Sequence, residues 1–347
     1  MSQPLISICL PNLNTRPYLE PRVESIWAQT YRNWELIVSD NYSDDGAWAF
    51  FEDLARRDRR VVAEQAPREG IYANWNRCIR RARGEFVYIA TSDDTMAADC
   101  LEKLVAALQR HPDCDLAHCR LRTVDELGVE KPDIWSRRSV FALSSGELID
   151  HPHVRRAPFD GLLHLRGRAV YTSITQLLIR RSLFDRIGYF DSRWGSLGDF
   201  NWNMRAGLVA NTVHVADTWA GWRIHASQAT ALNDFMSAAH ALKIDEMIDD
   251  AVERSRALLP AGFDPQITAR WAAEAKQGRR FQRDDARRRR LIGPRADRIV
   301  KKILAKFASP RMHPTVDWVK RCFEEVGSEA PLYPVLAENR STSEEMV

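Results

Sequence analysis

Residues 5–10 read LISICL and run straight into Pro11-Asn-Leu-Asn14. The arrangement recurs at 34–39, WELIVS, followed by Asp40-Asn-Tyr-Ser-Asp-Asp-Gly46, and at 85–90, EFVYIA, followed by Thr91-Ser-Asp-Asp94. Each run is short and almost continuously apolar, which suits a strand buried on both faces. Between the runs the apolar residues take helical spacing: Leu19, Val23, Ile26 and Thr30, then 46–57 and 71–83, with a short strand near Val61. Strands alternating with helices of this length predict βαβ units and a mainly parallel α/β sheet. Ligands of such sheets sit beyond the carboxyl ends of the strands, which directs attention to the three polar stretches.

Outward from this core the pattern predicts a helix from Asp99 to Arg110, a strand around Asp115–Leu121, and regular structure at Ile174–Ile179, Ser182–Ile187 and Leu197–Leu208. Pro132, Pro152 and Pro158 break the stretch 123–167. Beyond Ala226 strand signals vanish, and a boundary near residue 233 separates residues 1–232 from a helical, basic extension, 233–347. The composition is that of a soluble globular protein of about two domains: 347 residues, 50 Lys+Arg against 47 Asp+Glu, 45% hydrophobic. It excludes a disordered, collagenous or membrane-spanning chain. The net charge of +3 conceals an asymmetry, because 276–311 holds 14 basic and 3 acidic residues, a local +11 that leaves −8 for the rest.

No apolar run approaches the roughly 20 residues of a membrane span, and the start, MSQPLISICLPN, lacks a signal-peptide pattern. The expected location is cytoplasmic. Cys9, Cys78, Cys100, Cys114, Cys119 and Cys322 show no metal spacing and read as reduced structural thiols.

The polar stretches have two readings. Ser43 to Asp45 suit capping of the next helix, whereas Asp40 comes too early for that role. Asp93 and Asp94, adjacent just past a buried strand, repel each other unless they share a cation, and hard oxygen ligands favour Mg²⁺ or Mn²⁺ carried with a diphosphate. Asp199 opens an amphipathic helix and reads equally as its N-cap. Arg223 and His225, two apart on an extended chain, share a face. No G-x-G-x-x-G, P-loop or G-x-S-x-G occurs, so the dinucleotide, P-loop and hydrolase sites are absent.

With these residues in view, the chain resembles the family 2 glycosyltransferases of the GT-A fold. The resemblance is carried by 6–14, 25–40, 70–79 through Gly84-Glu-Phe86, 91–94, 178–207 and 222–228, in the family's order over about 230 residues. It implies a Rossmann-like, mainly parallel sheet flanked by helices, with 1–98 as the nucleotide-binding half and 99–232 as the acceptor-side half. It also implies a nucleoside-diphosphate sugar as donor. Pro11, Asn12 and Asn14 would line the base and ribose pocket, Asp40 would accept from the base, and Gly70, Asn74 and Asn76 belong to the segment behind the nucleotide and sugar. Asp94 matches the metal position of the DxD-type motif, Asp93 lies nearer the ribose and sugar, and Asp199 matches the general base. Arg223 and His225 match an R-x-H element near the diphosphate, His225 as a further metal ligand. Two positions depart from the pattern: Thr91 replaces the leading acid and Gly198 the Glu before the base.

The reaction implied by the resemblance is an inverting, Mn²⁺- or Mg²⁺-dependent transfer of sugar to a glycan, lipid-linked or other glycoconjugate acceptor, as in cell-surface polysaccharide synthesis. A catalytically silent nucleotide-sugar-binding or scaffold protein of the same fold is the alternative; a pyrophosphorylase lacks its Gly-rich loop here. Within 294–310, Ile299, Val300, Ile303, Leu304 and Phe307 form one apolar stripe among basic residues. That helix reads either as docking on an anionic membrane surface, peripheral on its inner face, or as packing on the catalytic domain. No nucleic acid is expected.

Overall fold

The computed structural model describes residues 3–226, 228, 237–280, 314–326 and 331–335. The first three runs form β1 (Ile6–Asn12), β2 (Trp34–Asp40) and β4 (Phe86–Ile89), each buried along its length. With β3 (Val61–Gln65) they pair in parallel, β4-β1-β2-β3. Continuous apolar runs are needed because helices cover both faces. On one side lies α3 (Ile71–Arg81), against β1 and β2. On the other lie α1 (Leu19–Trp27), against the short β5 (Thr95–Met96), and α4 (Cys100–Arg110), against β6 (Cys114–Val124). The helix α2 (Ala47–Arg57) packs on β3.

The second half extends the same sheet as β8-β6-β9-β7-β10, with β7 (His153–Arg155), β8 (Leu177–Arg180), β9 (Asn211–Arg223) and β10 (Leu332–Pro334). Here β8 runs antiparallel to β4 and β6, while β6 and β9 run parallel. The Pro-interrupted stretch supplies three short helices, α5 (Trp135–Arg138), α6 (Val140–Ser145) and α7 (Phe159–Leu165). After α8 (Ser182–Ile187) comes α9 (Gly198–Val209), buried on most sides and therefore weakly amphipathic.

The C-terminal part corrects one expectation. It is not purely helical: α10 (Ala238–Ser255), α11 (265–280) and α12 (Pro314–Val326) are followed by β10, which pairs antiparallel with β7. Three residues carry too little pattern for a strand to be read locally. These elements also pack on the catalytic half. Arg166 after α7 lies 4.7 and 4.8 Å from the rings of Trp271 and Trp318, and Glu274 joins it to Arg321. The basic helix proposed for 294–310 lies outside the described residues. All six cysteines are buried and free, as expected, and no described helix is long and apolar enough to cross a membrane.

Candidate active site

The carboxyl ends of β1 and β2 end in register, Asn12 opposite Asp40, and a side-chain network locks them. Asn12 Nδ2 donates to Asp40 Oδ1 at 2.7 Å and to Ser43 Oγ at 3.0 Å, and the Ser43 hydroxyl donates to Asp40 at 2.6 Å. Asn14, at φ 52°, accepts from Asp44 N and donates its own N–H to Ser43 Oγ. Pro11 is buried at the strand end. Of the capping candidates, Asp45 accepts from Ala47 N in the first turn of α2, while Ser43 serves the Asp40 network. Ser43 thus belongs to the Asp40 network, where sequence reasoning read a helix cap.

Gly70 precedes α3 at φ 101°, a conformation open in practice only to glycine. On α3, Asn74 donates to Ser39 O at 3.0 Å beneath the strand ends, and its buried Oδ1 has no partner among the described residues. Asn76 turns elsewhere. Its amide clasps the backbone of Phe190, donating to O at 2.7 Å and accepting from N at 3.1 Å. It therefore anchors the turn that leads to α9.

The Thr91–Asp94 loop meets the end of β9. Asp94 is 3% exposed and accepts from the Thr91 hydroxyl at 2.5 Å and from Arg223 N at 2.8 Å. Burial, with the adjacent charge of Asp93, pushes its pKa up to about 8. Asp93 Oδ2 lies 2.9 Å from His225 Nε2. The Arg223 guanidinium bridges Asp93 O to the carbonyls of Asp125 and Glu126. Tyr18 covers this group: its ring lies 4.8 Å from that of His225 and 5.2 Å from the Arg223 guanidinium, and its hydroxyl donates to Glu126.

Asp199 is not an N-cap; that place is held by Leu197, and Asp199 sits in the first turn of α9. Its Oδ1 accepts from the Tyr72 hydroxyl at 2.8 Å and from Phe200 N at 2.7 Å. Burial raises its pKa and the Tyr72 hydrogen bond opposes that rise. The glycine before it has a steric cause: a Cβ on Gly198 would lie 2.5 Å from Tyr72 Cδ2 and 2.9 Å from Asp191 O. The ring of Tyr72 fills the space that a longer residue would need. Tyr72 escaped the sequence reading because its signal, one aromatic among the buried positions of α3, is that of an ordinary core residue.

A side-chain network at the ends of β1 and β2, a paired-acid loop and a carboxylate on a neighbouring helix sit on a mixed, mainly parallel sheet flanked by helices, which is the GT-A glycosyltransferase architecture. The chain belongs to glycosyl transferase family 2, whose model matches residues 7–188. It is 31% identical over 130 residues to the putative glycosyltransferase EpsE of Bacillus subtilis, covering 37% of this chain and 47% of that one. It is 25% identical over 221 residues to a PGL/p-HBAD biosynthesis glycosyltransferase of Mycobacterium bovis, covering 62% and 76%. The chain spans about half the length of the curated relatives it matches first. In fold it is similar to S. aureus TarS 1-349 in complex with UDP-GlcNAc, with TM-score 0.59 and 16% identity over 80% of this chain and 72% of that one. A mannosyltransferase of Pyrobaculum calidifontis in complex with GDP-Man and Mn²⁺ gives TM-score 0.52 and 17% identity over 94% and 86%.

Proposed function

We propose that the protein transfers a sugar, with inversion, from a nucleoside-diphosphate sugar to a hydroxyl of a glycan, lipid-linked or other glycoconjugate acceptor in polysaccharide synthesis. The observation that carries this reading is Asp199. It is a half-buried carboxylate, oriented through Oδ1 by Tyr72 and Phe200 N, whose Oδ2 has no hydrogen-bond partner among the described residues. A carboxylate with a raised pKa is a stronger base for an incoming hydroxyl, a role worth about 10²–10⁴-fold. One base acting opposite the leaving group gives single displacement. Asp40 and Asn12 at the strand ends mark where a base and ribose would bind, with buried Asn74 beneath them and Gly70 keeping the backbone open beside them.

The acid pair fits a divalent cation. Mg²⁺ and Mn²⁺ at nucleotide sites take one or two carboxylates and complete their shells with phosphate oxygens, so a full protein cage is not needed, and none is present among the described residues. Desolvated Asp94 beside Asp93 is the kind of pair that a shared cation relieves. Asp94 and Asp93 would supply its protein oxygens, while His225, 2.9 Å from Asp93 Oδ2, orients that carboxylate. When bound, the cation neutralises charge on the departing diphosphate. The complexes of TarS with UDP-GlcNAc and of the mannosyltransferase with GDP-Man and Mn²⁺ support this donor class. The basic sequence 294–310 would bring the enzyme to an anionic inner membrane face, and flotation with anionic against neutral liposomes tests that part. For the transfer itself, Asp199→Asn should keep nucleotide binding and lose transfer by at least about 10²-fold. Near-normal turnover by that variant would rule the mechanism out.

A further inference from the structure

The carboxyl-side halves of β6 and β9 enclose a cavity of about 430 Å³ between residues 120–123, 130–133 and 216–219. That is within the size range of small-molecule sites. A hairpin forms one wall: Lys131 N donates to Thr123 O at 2.8 Å, and Val124 bridges Glu130. The tip of the same hairpin supplies the Asp125 and Glu126 carbonyls that hold the Arg223 guanidinium. The cavity is therefore separate from the acid loop and one hairpin away from it. Along β9, Trp219 precedes Arg223 by four residues, a span of about 13 Å in an extended strand. Trp219 is the one aromatic residue in the cavity lining. It is half-buried, the Arg122 guanidinium lies 4.5 Å from its ring centroid, and its indole N–H has no hydrogen-bond partner among the described residues. Gly221, on the same face of β9, leaves the ring its room, because a Cβ there would stand 3.3 Å from Trp219 Cζ3.

The charges around that ring are balanced. Arg120, Arg122 and Lys131 line the cavity with Glu130, Asp133 and Asp217, three positive groups with three negative. Arg120 is held by Asp150, and Asp217 by Lys103. Arg122 reaches Glu130 only at 3.6 Å, too long for a hydrogen bond, and Lys131 has no ion-pair partner among the described residues. Open donors and acceptors thus stand side by side around an aromatic ring. An anion or a cation would meet repulsion as well as attraction here, and a hydrocarbon chain would leave the polar groups unpaired. A neutral sugar ring matches the lining. Its hydroxyls both donate and accept, and its C–H face can lie against the indole.

We propose that this cavity is a saccharide subsite, outside the donor site, that holds a neutral hexose ring of a glycan against Trp219. The ring's role rests on the transfer reading above, under which the glycan is the acceptor chain and the subsite is a second contact that keeps it on the enzyme; its binding does not. The test is saturation-transfer difference NMR with cellobiose and with N,N′-diacetylchitobiose on the wild type, Trp219→Ala, Trp219→Phe and Arg122→Gln. Spectra are recorded with excess UDP or GDP and Mn²⁺ to fill the donor site, and a thermal melt of each protein is taken with and without nucleotide. At least one disaccharide should give ring C–H signals on the wild type. Trp219→Ala should lower them about fivefold or more, while Trp219→Phe keeps most of the signal. Arg122→Gln should lower them about twofold or more through lost hydrogen bonds. Silence from both disaccharides on the wild type overturns the inference, as does an unchanged signal in folded Trp219→Ala. Should Trp219→Ala fail to fold, the exposed Arg122 decides, and an unchanged signal in Arg122→Gln overturns the inference. Disaccharide signals without any nucleotide-induced rise in melting temperature would uphold the subsite and overturn the nucleotide-sugar reading. A nucleotide-induced rise without disaccharide signals would overturn the subsite alone.

Discussion

Tyr72 and Gly198 show how one contact sets the chemistry of Asp199. The hydrogen bond from Tyr72 lowers a pKa that burial raises. Removing it in Tyr72→Phe should raise that pKa further, so the acidic limb of the kcat/KM profile should move to higher pH, while donor affinity stays put. A profile that does not move would show that the hydroxyl leaves the base untouched. A raised folded pKa also means that ionised Asp199 opposes folding: its contribution is most favourable below the unfolded pKa and is lost as pH rises through the folded one. Asp199→Asn keeps acceptors for Tyr72 and Phe200 N without the charge. Its melting temperature at pH 8 should therefore equal or exceed that of the wild type, even though transfer is lost. Gly198→Ala should be unfavourable by about 1–3 kcal/mol, because the ring and the Asp191 carbonyl leave no space; denaturant titration measures it.

At the scale of elements, strand ends and helix starts hold the site. The β1 and β2 ends are tied by Asn12, Asp40 and Ser43, and α3 enters through Gly70. Nothing lies within 4 Å of a Cβ built at Gly70, so the cost of Gly70→Ala is purely one of backbone conformation at φ 101°, about 1–3 kcal/mol. Gly278→Ala, in α11 with equally open surroundings, should instead stabilise by up to about 1 kcal/mol. Paired thermal melts check both, and equal shifts would refute the conformational account. β1, β2 and β4 were legible because burial on both faces makes each run continuously apolar. The long β9 was not, because His214, Thr218 and a register shift against β6 interrupt its pattern. The role of Asn76 was also hidden, since the sequence shows an amide on a helix but not that Phe190, far along the chain, presents the backbone it clasps.

Across the whole molecule, β6, β7, α7 and β9 each bury a histidine among apolar residues. His118 and His214 meet Nδ1 to Nδ1 at 3.2 Å, close to His153, Phe141 and Arg155, and His164 lies near Tyr171. Burial depresses all four, His153 to about 4, His164 to about 3, and His118 and His214 well below the usual value. Their stabilising contribution is present above the unfolded value of about 6.5 and is lost as pH falls below it, at up to ~1.4 kcal/mol per pH unit for each. The raised carboxyls of Asp94 and Asp199 oppose that trend but are fewer. The urea midpoint should therefore fall between pH 7 and pH 5, and a flat midpoint would contradict this account. The amino-acid sequence by itself determined the parallel α/β core, the polar strand ends and the paired acids, because local periodicity and strand-end chemistry are written in neighbouring residues. Only the tertiary structure decided that Tyr72 reaches Asp199, that Asn76 clasps the backbone of Phe190 and that β10 returns to the sheet. Such contacts join residues far apart in the chain, and their energy depends on burial and distance, which only the folded arrangement supplies.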